Sequence, residues 1–331
     1  MTPVCAASAH HSYRVYGVRL RSEIPLPLSA DSSSDGEDVL GDVTFVVGVD
    51  EEFSDVPQSW ASGATFVCEN LALRGTYVRW PRLYEFMIAP DGSRVACRPL
   101  AGCDVSVFQN FLLGQVVALA LVKQGIETLH AAVVVIDGMA VALLGDCGFG
   151  KSTLLASFAQ AGYRALTDDM LIVDTREGRL HAVPGTGRVK LMPDSAERFV
   201  NGNGGAALTP FTAKRAFPLD VSTHQRLRMP LRLLYVLPTP QEREGAASID
   251  IRPVSRVEAV HELVKNTFST QQLDRSRLVR QFDHATNVAV RVDAFRLRYP
   301  AGLDRVPAVQ QTIVKHARAV AGQARYFMER T

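Results

Sequence analysis

The chain has 331 residues, 47% of them apolar and 21% charged. That is the balance of a soluble globular protein with a full core, and its length suits about two domains of roughly 150 residues each. Lys and Arg total 36 against 34 Asp and Glu, a net charge of +2, which excludes a strongly basic nucleic-acid coat and an acidic solvating tail alike. Neither a nucleic-acid nor a membrane partner is expected. The five cysteines, Cys5, Cys68, Cys97, Cys103 and Cys147, include no C-x-x-C pair. Reduced thiols in a cytoplasmic protein are therefore expected, rather than a disulfide framework or a zinc site.

Residues 1–12 lack a basic segment followed by an apolar one, the pattern of a secretory signal, and are expected to form a disordered tail. Residues 13–20 read as one strand. A serine- and acid-rich run over 30–38 has nothing apolar to bury and reads as a solvated loop. Residues 43–47, 77–80 and 83–88 predict further strands, and Asp91-Gly92 a hairpin turn into 95–97. A β-rich module over 13–105 follows. Residues 108–122 contain Gln109, Asn110 and Gln115. At about 15 residues this stretch is too short and too polar to span a bilayer, and it predicts a buried helix opening a second domain, 106–331.

Two apolar runs, 129–136 and 140–144, flank Asp137-Gly138 and predict a hairpin. The next eight residues, Gly145-Asp146-Cys147-Gly148-Phe149-Gly150-Lys151-Ser152, complete the pattern G-x-x-x-x-G-K-[ST]. Its glycines let backbone N–H groups curl round phosphate oxygens, and the helix that follows adds its N-terminal dipole. The loop, extended to Thr153, is the expected ATP-binding segment. Lys151 would reach the β/γ-phosphates, facing solvent without ligand, and Ser152 would ligate Mg²⁺. A helix over 152–161 ends at Gly162, and strands over 163–166 and 170–173 flank Asp168-Asp169. A carboxylate pair at a strand tip can face Mg·ATP, one residue at the metal and one taking a proton. Alone, such a pair reads first as a solvated turn, and it is the phosphate loop nearby that favours the site. His130, in an apolar strand, reads either as a core residue or as part of the site. Further along, 257–268 and 308–321 have helical spacing, whereas 287–292 and 295–298 read as strands. Pro184-Gly185 and 201–205 mark loops.

Leu129-His130-Ala131-Ala132-Val133, the hairpin, the glycine loop and Asp168-Asp169 together resemble the kinase domain of HPr kinase/phosphorylase over roughly 126–175. The resemblance implies an α/β fold of the HPr kinase/phosphoenolpyruvate carboxykinase type behind the β-rich module, with Mg·ATP as phosphoryl donor. It makes Asp168 the base for a serine hydroxyl, His130 its orienting partner and Asp169 a support for the metal, with catalysis assigned to Asp168, His130 and Lys151. The family's glutamate metal ligand has no counterpart in 180–188. Residues 13–17, 189–194 and 230–237 are more similar to the HPr-kinase-like enzymes of peptide natural-product clusters, among them kinases of lasso-peptide precursors.

The implied function is an ATP-dependent kinase acting on a serine of a peptide or protein, with homo-oligomerisation left open. A small-molecule (sugar-type) kinase would use the same donor site, and a non-catalytic ATP-binding regulator would have no use for a base. A transporter ATPase lacks its Leu-Ser-Gly-Gly-Gln segment here. For the acceptor, Lys214, Arg215, Arg226, Arg228 and Arg232 cluster against one acid, Asp220. Arg228 and Arg232 are the expected clamp for a phosphoryl group or a peptide carboxylate, since guanidinium binds both bidentately.

Overall fold

The computed structural model describes residues 10–31, 38–71, 73–202, 204–209, 211–219, 227–268 and 274–328, with side chains described up to 322. It is a mixed α/β protein of two compact units that divide between Ile126 and Glu127.

In the first unit a seven-stranded sheet runs in the order His11–Val15, Val18–Ser22, Asp42–Val47, Arg94–Pro99, Tyr84–Ile88, Gly75–Trp80, Val67–Leu71. The single strand expected over 13–20 is a hairpin. Tyr16 and Gly17 both take positive φ, 57° and 70°, which gives a tight turn of the hand that matches strand twist. The expected tail likewise gives way to strand at His11. The helical stretch Val105–Lys123 is 19 residues long, longer than expected, and most of it is buried. Asp104 caps its start, accepting from the N–H groups of Ser106 and Val107. Phe108 and Phe111 pack on Tyr84, and Trp80 meets Phe66, Tyr84, Phe86 and Phe111 within 6.3 Å. Trp60 stacks on Tyr77. This aromatic packing draws the helix into the first unit, so the division falls after it and not before.

The second unit is built on a nine-stranded sheet. Its path runs Arg164–Thr167, Ala131–Ile136, Met139–Leu144, Met229–Val236, Arg179–Ala182, Leu171–Arg176, Thr128–Leu129. Asp293–Arg298 pairs in parallel with Met229–Val236 and antiparallel with Asp250–Pro253. Met139–Leu144 is central, antiparallel to Ala131–Ile136 and parallel to Met229–Val236. Five of its six residues are buried, as a strand covered on both faces requires. The hairpin expected at Asp137-Gly138 is present, with φ of 48° and 80°. A three-stranded sheet sets Arg188–Leu191 beside Arg215–Pro218, which pairs in turn with Ala206–Ala207.

One expected strand is helix. Residues 287–292 close the helix Arg275–Arg291, which Asp274 caps through the Arg277 N–H. Ala285, Val288, Ala289 and Val292 are all buried at 1% exposure or less, a spacing of three and four that makes one helical face. The alternation Val288-Ala289-Val290-Arg291-Val292 imitates a strand only when that longer period is overlooked.

Candidate active site

The strand Met139–Leu144 leads into the glycine loop, and the helix Lys151–Gln160 leaves it. Gly145, Gly148 and Gly150 take φ of 151°, 86° and 89°, values that residues with a Cβ rarely adopt. At Gly145 a Cβ would also stand 2.8 Å from the Phe149 ring. The helix is capped by Gly150 with no side-chain bond to its first N–H groups, so the positive end of its dipole is directed at the loop. Leu154, Leu155 and Phe158 anchor the other face in the core.

Two residues distant in sequence brace the loop. Asn266, just past the helix Arg256–Lys265, accepts the Gly145 N–H through Oδ1 at 3.0 Å, and its carbonyl accepts the His130 N–H at 2.7 Å. Arg243 donates to the Gly148 carbonyl at 3.0 Å and lies over the Tyr299 ring, whose hydroxyl bonds the Phe149 carbonyl at 3.4 Å. Sequence reading singled out neither. Nothing local marks them, because only the sheet topology brings them to the loop.

A cavity of about 140 Å³ opens beside the loop. His130, Lys151, Ser152, Thr153, Asp168 and Asp169 of the expected site residues line it, together with Cys147, Gly148 and Gly150. Lys151 is 5% exposed and turned inward, its ammonium bonded to the carbonyls of Gly145 and Asp146 at 2.6 and 3.0 Å. The expectation of a solvent-facing lysine is therefore corrected: the loop carbonyls hold it as a phosphate would. Burial lowers its pKa, with the carboxylates of Asp168 and Asp169 opposing.

Asp168 and Asp169 follow the strand Arg164–Thr167, in a turn closed by the Thr167 hydroxyl on the Met170 carbonyl. The Ser152 hydroxyl donates to Asp168 Oδ1 at 2.9 Å, and the Lys190 N–H to Asp168 Oδ2 at 2.9 Å. Burial and the neighbouring Asp169 charge push the Asp168 carboxyl up. Asp169 faces elsewhere. Its Oδ2 takes the Lys190 ammonium, and His130 Nδ1 lies 3.5 Å from Oδ1 and 2.9 Å from the Asp169 carbonyl. Burial, the largest single influence, would raise Asp169, but the charge and hydrogen bond of Lys190 together with the charges of His130 and Lys151 outweigh it and hold the carboxyl at about 2. Burial, reinforced by the Lys151 charge, lowers the His130 pKa.

The expected basic cluster is dispersed. Lys214 reaches the cavity, its ammonium 3.7 Å from Cys147 Sγ. Arg215 bonds the Gly205 carbonyl, and Arg228 pairs with Asp174 at 2.9 Å. Arg232 stands exposed within the strand Met229–Val236 rather than before it. Neither Arg228 nor Arg232 lines this cavity; Arg226 and Asp220 lie outside the described residues. The cavity's further cations are Lys190 and Lys214.

No family model and no curated protein matches the chain. Among solved structures it is similar to the Hpr(Ser) kinase/phosphatase from Coxiella burnetii, at 13% identity and a TM-score of 0.33, over 61% of this chain and 96% of that one.

Proposed function

We propose that the chain is an ATP-dependent kinase that transfers the γ-phosphoryl group to a serine hydroxyl of a peptide or protein, a lasso-peptide precursor being the acceptor class the sequence resemblance favours. One arrangement carries this reading: a glycine loop at a helix N-terminus without a side-chain cap, with the helix's Ser152 hydrogen-bonded to a buried carboxylate, Asp168. The loop and helix N–H groups suit the phosphates, and Lys151 would exchange its two carbonyl partners for phosphate oxygens.

The residues fit a magnesium ion carried in on the nucleotide. The Ser152 hydroxyl donates a hydrogen bond to Asp168 and keeps its oxygen lone pairs for a hard cation. Among the described residues no group of three acidic or histidine side chains could hold a metal unaided, which agrees with an ion held mostly by phosphates and water. Such an ion would neutralise charge on the β- and γ-phosphates. Asp168 is the proposed proton acceptor for the serine hydroxyl, fixed at one oxygen by Ser152 and at the other by the Lys190 N–H. His130 orients the Asp169 turn. The second unit, which begins at Glu127 rather than at the expected residue 106, is proposed as the kinase part.

The test offers Mg·ATP with a panel of serine peptides, HPr and sugars, and reads phosphorylated product by mass spectrometry. A +80 Da peptide product that a folded Lys151→Ala protein fails to make supports the reading. Equal turnover by wild type and folded Lys151→Ala would sink it.

A further inference from the structure

Asp168 is buried and the adjacent Asp169 half-buried on the wall of the cavity, and two neighbouring carboxylates so placed require positive charge at close range, since desolvation and mutual repulsion both disfavour their ionisation. Lys151 does not supply it directly, because its ammonium is held by the carbonyls of Gly145 and Asp146. Lys214 stands on Cys147. His130 turns Nδ1 to the Asp169 backbone carbonyl. Lys190 alone among these bonds both acids: its ammonium takes Asp169 Oδ2, and its backbone N–H takes Asp168 Oδ2.

That double contact is held rigidly. Lys190 belongs to Arg188–Leu191, where it sits opposite Ala216 of the neighbouring strand. Asp169 takes φ of 79°, a left-handed conformation that a residue with a Cβ holds only when its surroundings fix it. Its carboxylate is thereby turned to Lys190, while Asp168 stays with Ser152.

We propose that Lys190 is a resident cation which fills, at Asp169, the place a second divalent ion would otherwise take, so that the site binds one divalent ion with its nucleotide. The inference rests on the donor-site reading above. A salt bridge with no such role would leave the ion count indifferent to the residue at this position.

Mn²⁺ titrated into the protein with a saturating non-hydrolysable ATP analogue, and counted by electron paramagnetic resonance, provides the test. Nucleotide occupancy is measured on the same samples by calorimetry. Wild type should bind one Mn²⁺ per nucleotide. Lys190→Gln should gain a second, its affinity raised about tenfold or more, and Lys190→Arg should return the count to one. Two ions in wild type, or one in a nucleotide-binding Lys190→Gln protein, would overturn the inference and leave the donor site standing. Absence of nucleotide binding by wild type would overturn both.

Discussion

Two clusters of buried charge lie in the second unit, and they differ in what surrounds them. Glu127 and Arg277 have side chains 3% and 1% exposed, 3.5 Å apart, with Arg280 at 3.8 Å. Arg277 also donates to the Phe268 carbonyl at 2.8 Å. There the charges pair with one another, and neither Glu127 nor Arg277 lines the cavity described above. Asp168 and Lys151 are buried to a similar degree and Asp169 and Lys190 are half-buried, yet all four line an open volume beside a helix end without a side-chain cap. Burial of charge is therefore architecture in one place and a candidate site in the other. What separates them is the space left for a ligand and the backbone donors aimed into it.

The sharpest way to break this comparison is at Asp168. Asp168→Asn should lower kcat by about 10² to 10⁴ and leave nucleotide affinity within a few fold. A fall in affinity without a fall in turnover of bound ATP would make Asp168 a binding residue instead. In the other cluster, Arg277→Met strands the Glu127 carboxylate and should cost about 3–5 kcal/mol of stability in chemical denaturation. Its folded fraction should bind ATP like wild type. A change in nucleotide affinity there would merge the two clusters into one functional unit.

The smallest expected effect is a difference in the sign of pH dependence. Asp169 is held at about 2, below the ordinary value of about 3.9. Its contribution to stability is present above the ordinary value and is lost as pH falls towards 2. Burial raises Glu127, more than its arginines lower it, so its contribution is present below about 4.3 and is lost as pH rises. The stability deficit of Asp169→Asn should grow between about pH 2 and 4, whereas Glu127→Gln should gain on wild type as pH rises beyond that range. Denaturant melts across pH read both slopes, and equal slopes would remove the electrostatic distinction.

Contiguous features of the site were legible in the sequence. The glycine loop, its helix and the Asp pair lie within 25 positions, from Gly145 to Asp169, and local backbone chemistry dictates each. Lys190 was not legible. In Val189-Lys190-Leu191 it looks like the outward residue of an alternating strand, and its neighbours are indeed the buried ones. Only the position of that strand beside the Asp turn gives it partners. The same limit applies to Asn266 and Arg243, and to Arg228, whose partner Asp174 lies on another strand. In the fold, turn chemistry identified the Asp137-Gly138 hairpin, but Tyr16-Gly17 passed unnoticed because tyrosine is an unusual residue at positive φ.

The aromatic packing of the first unit has a spectroscopic consequence. The chain has two tryptophans, Trp60 and Trp80, and both fall in that unit. Intrinsic emission excited at 295 nm thus reports on the first unit's rings and has no chromophore of its own in the second. A melt followed by tryptophan emission and one followed by far-UV circular dichroism need not coincide, since the second signal also counts the nine-stranded sheet. A tryptophan placed at Phe149 would give the glycine loop a reporter of its own.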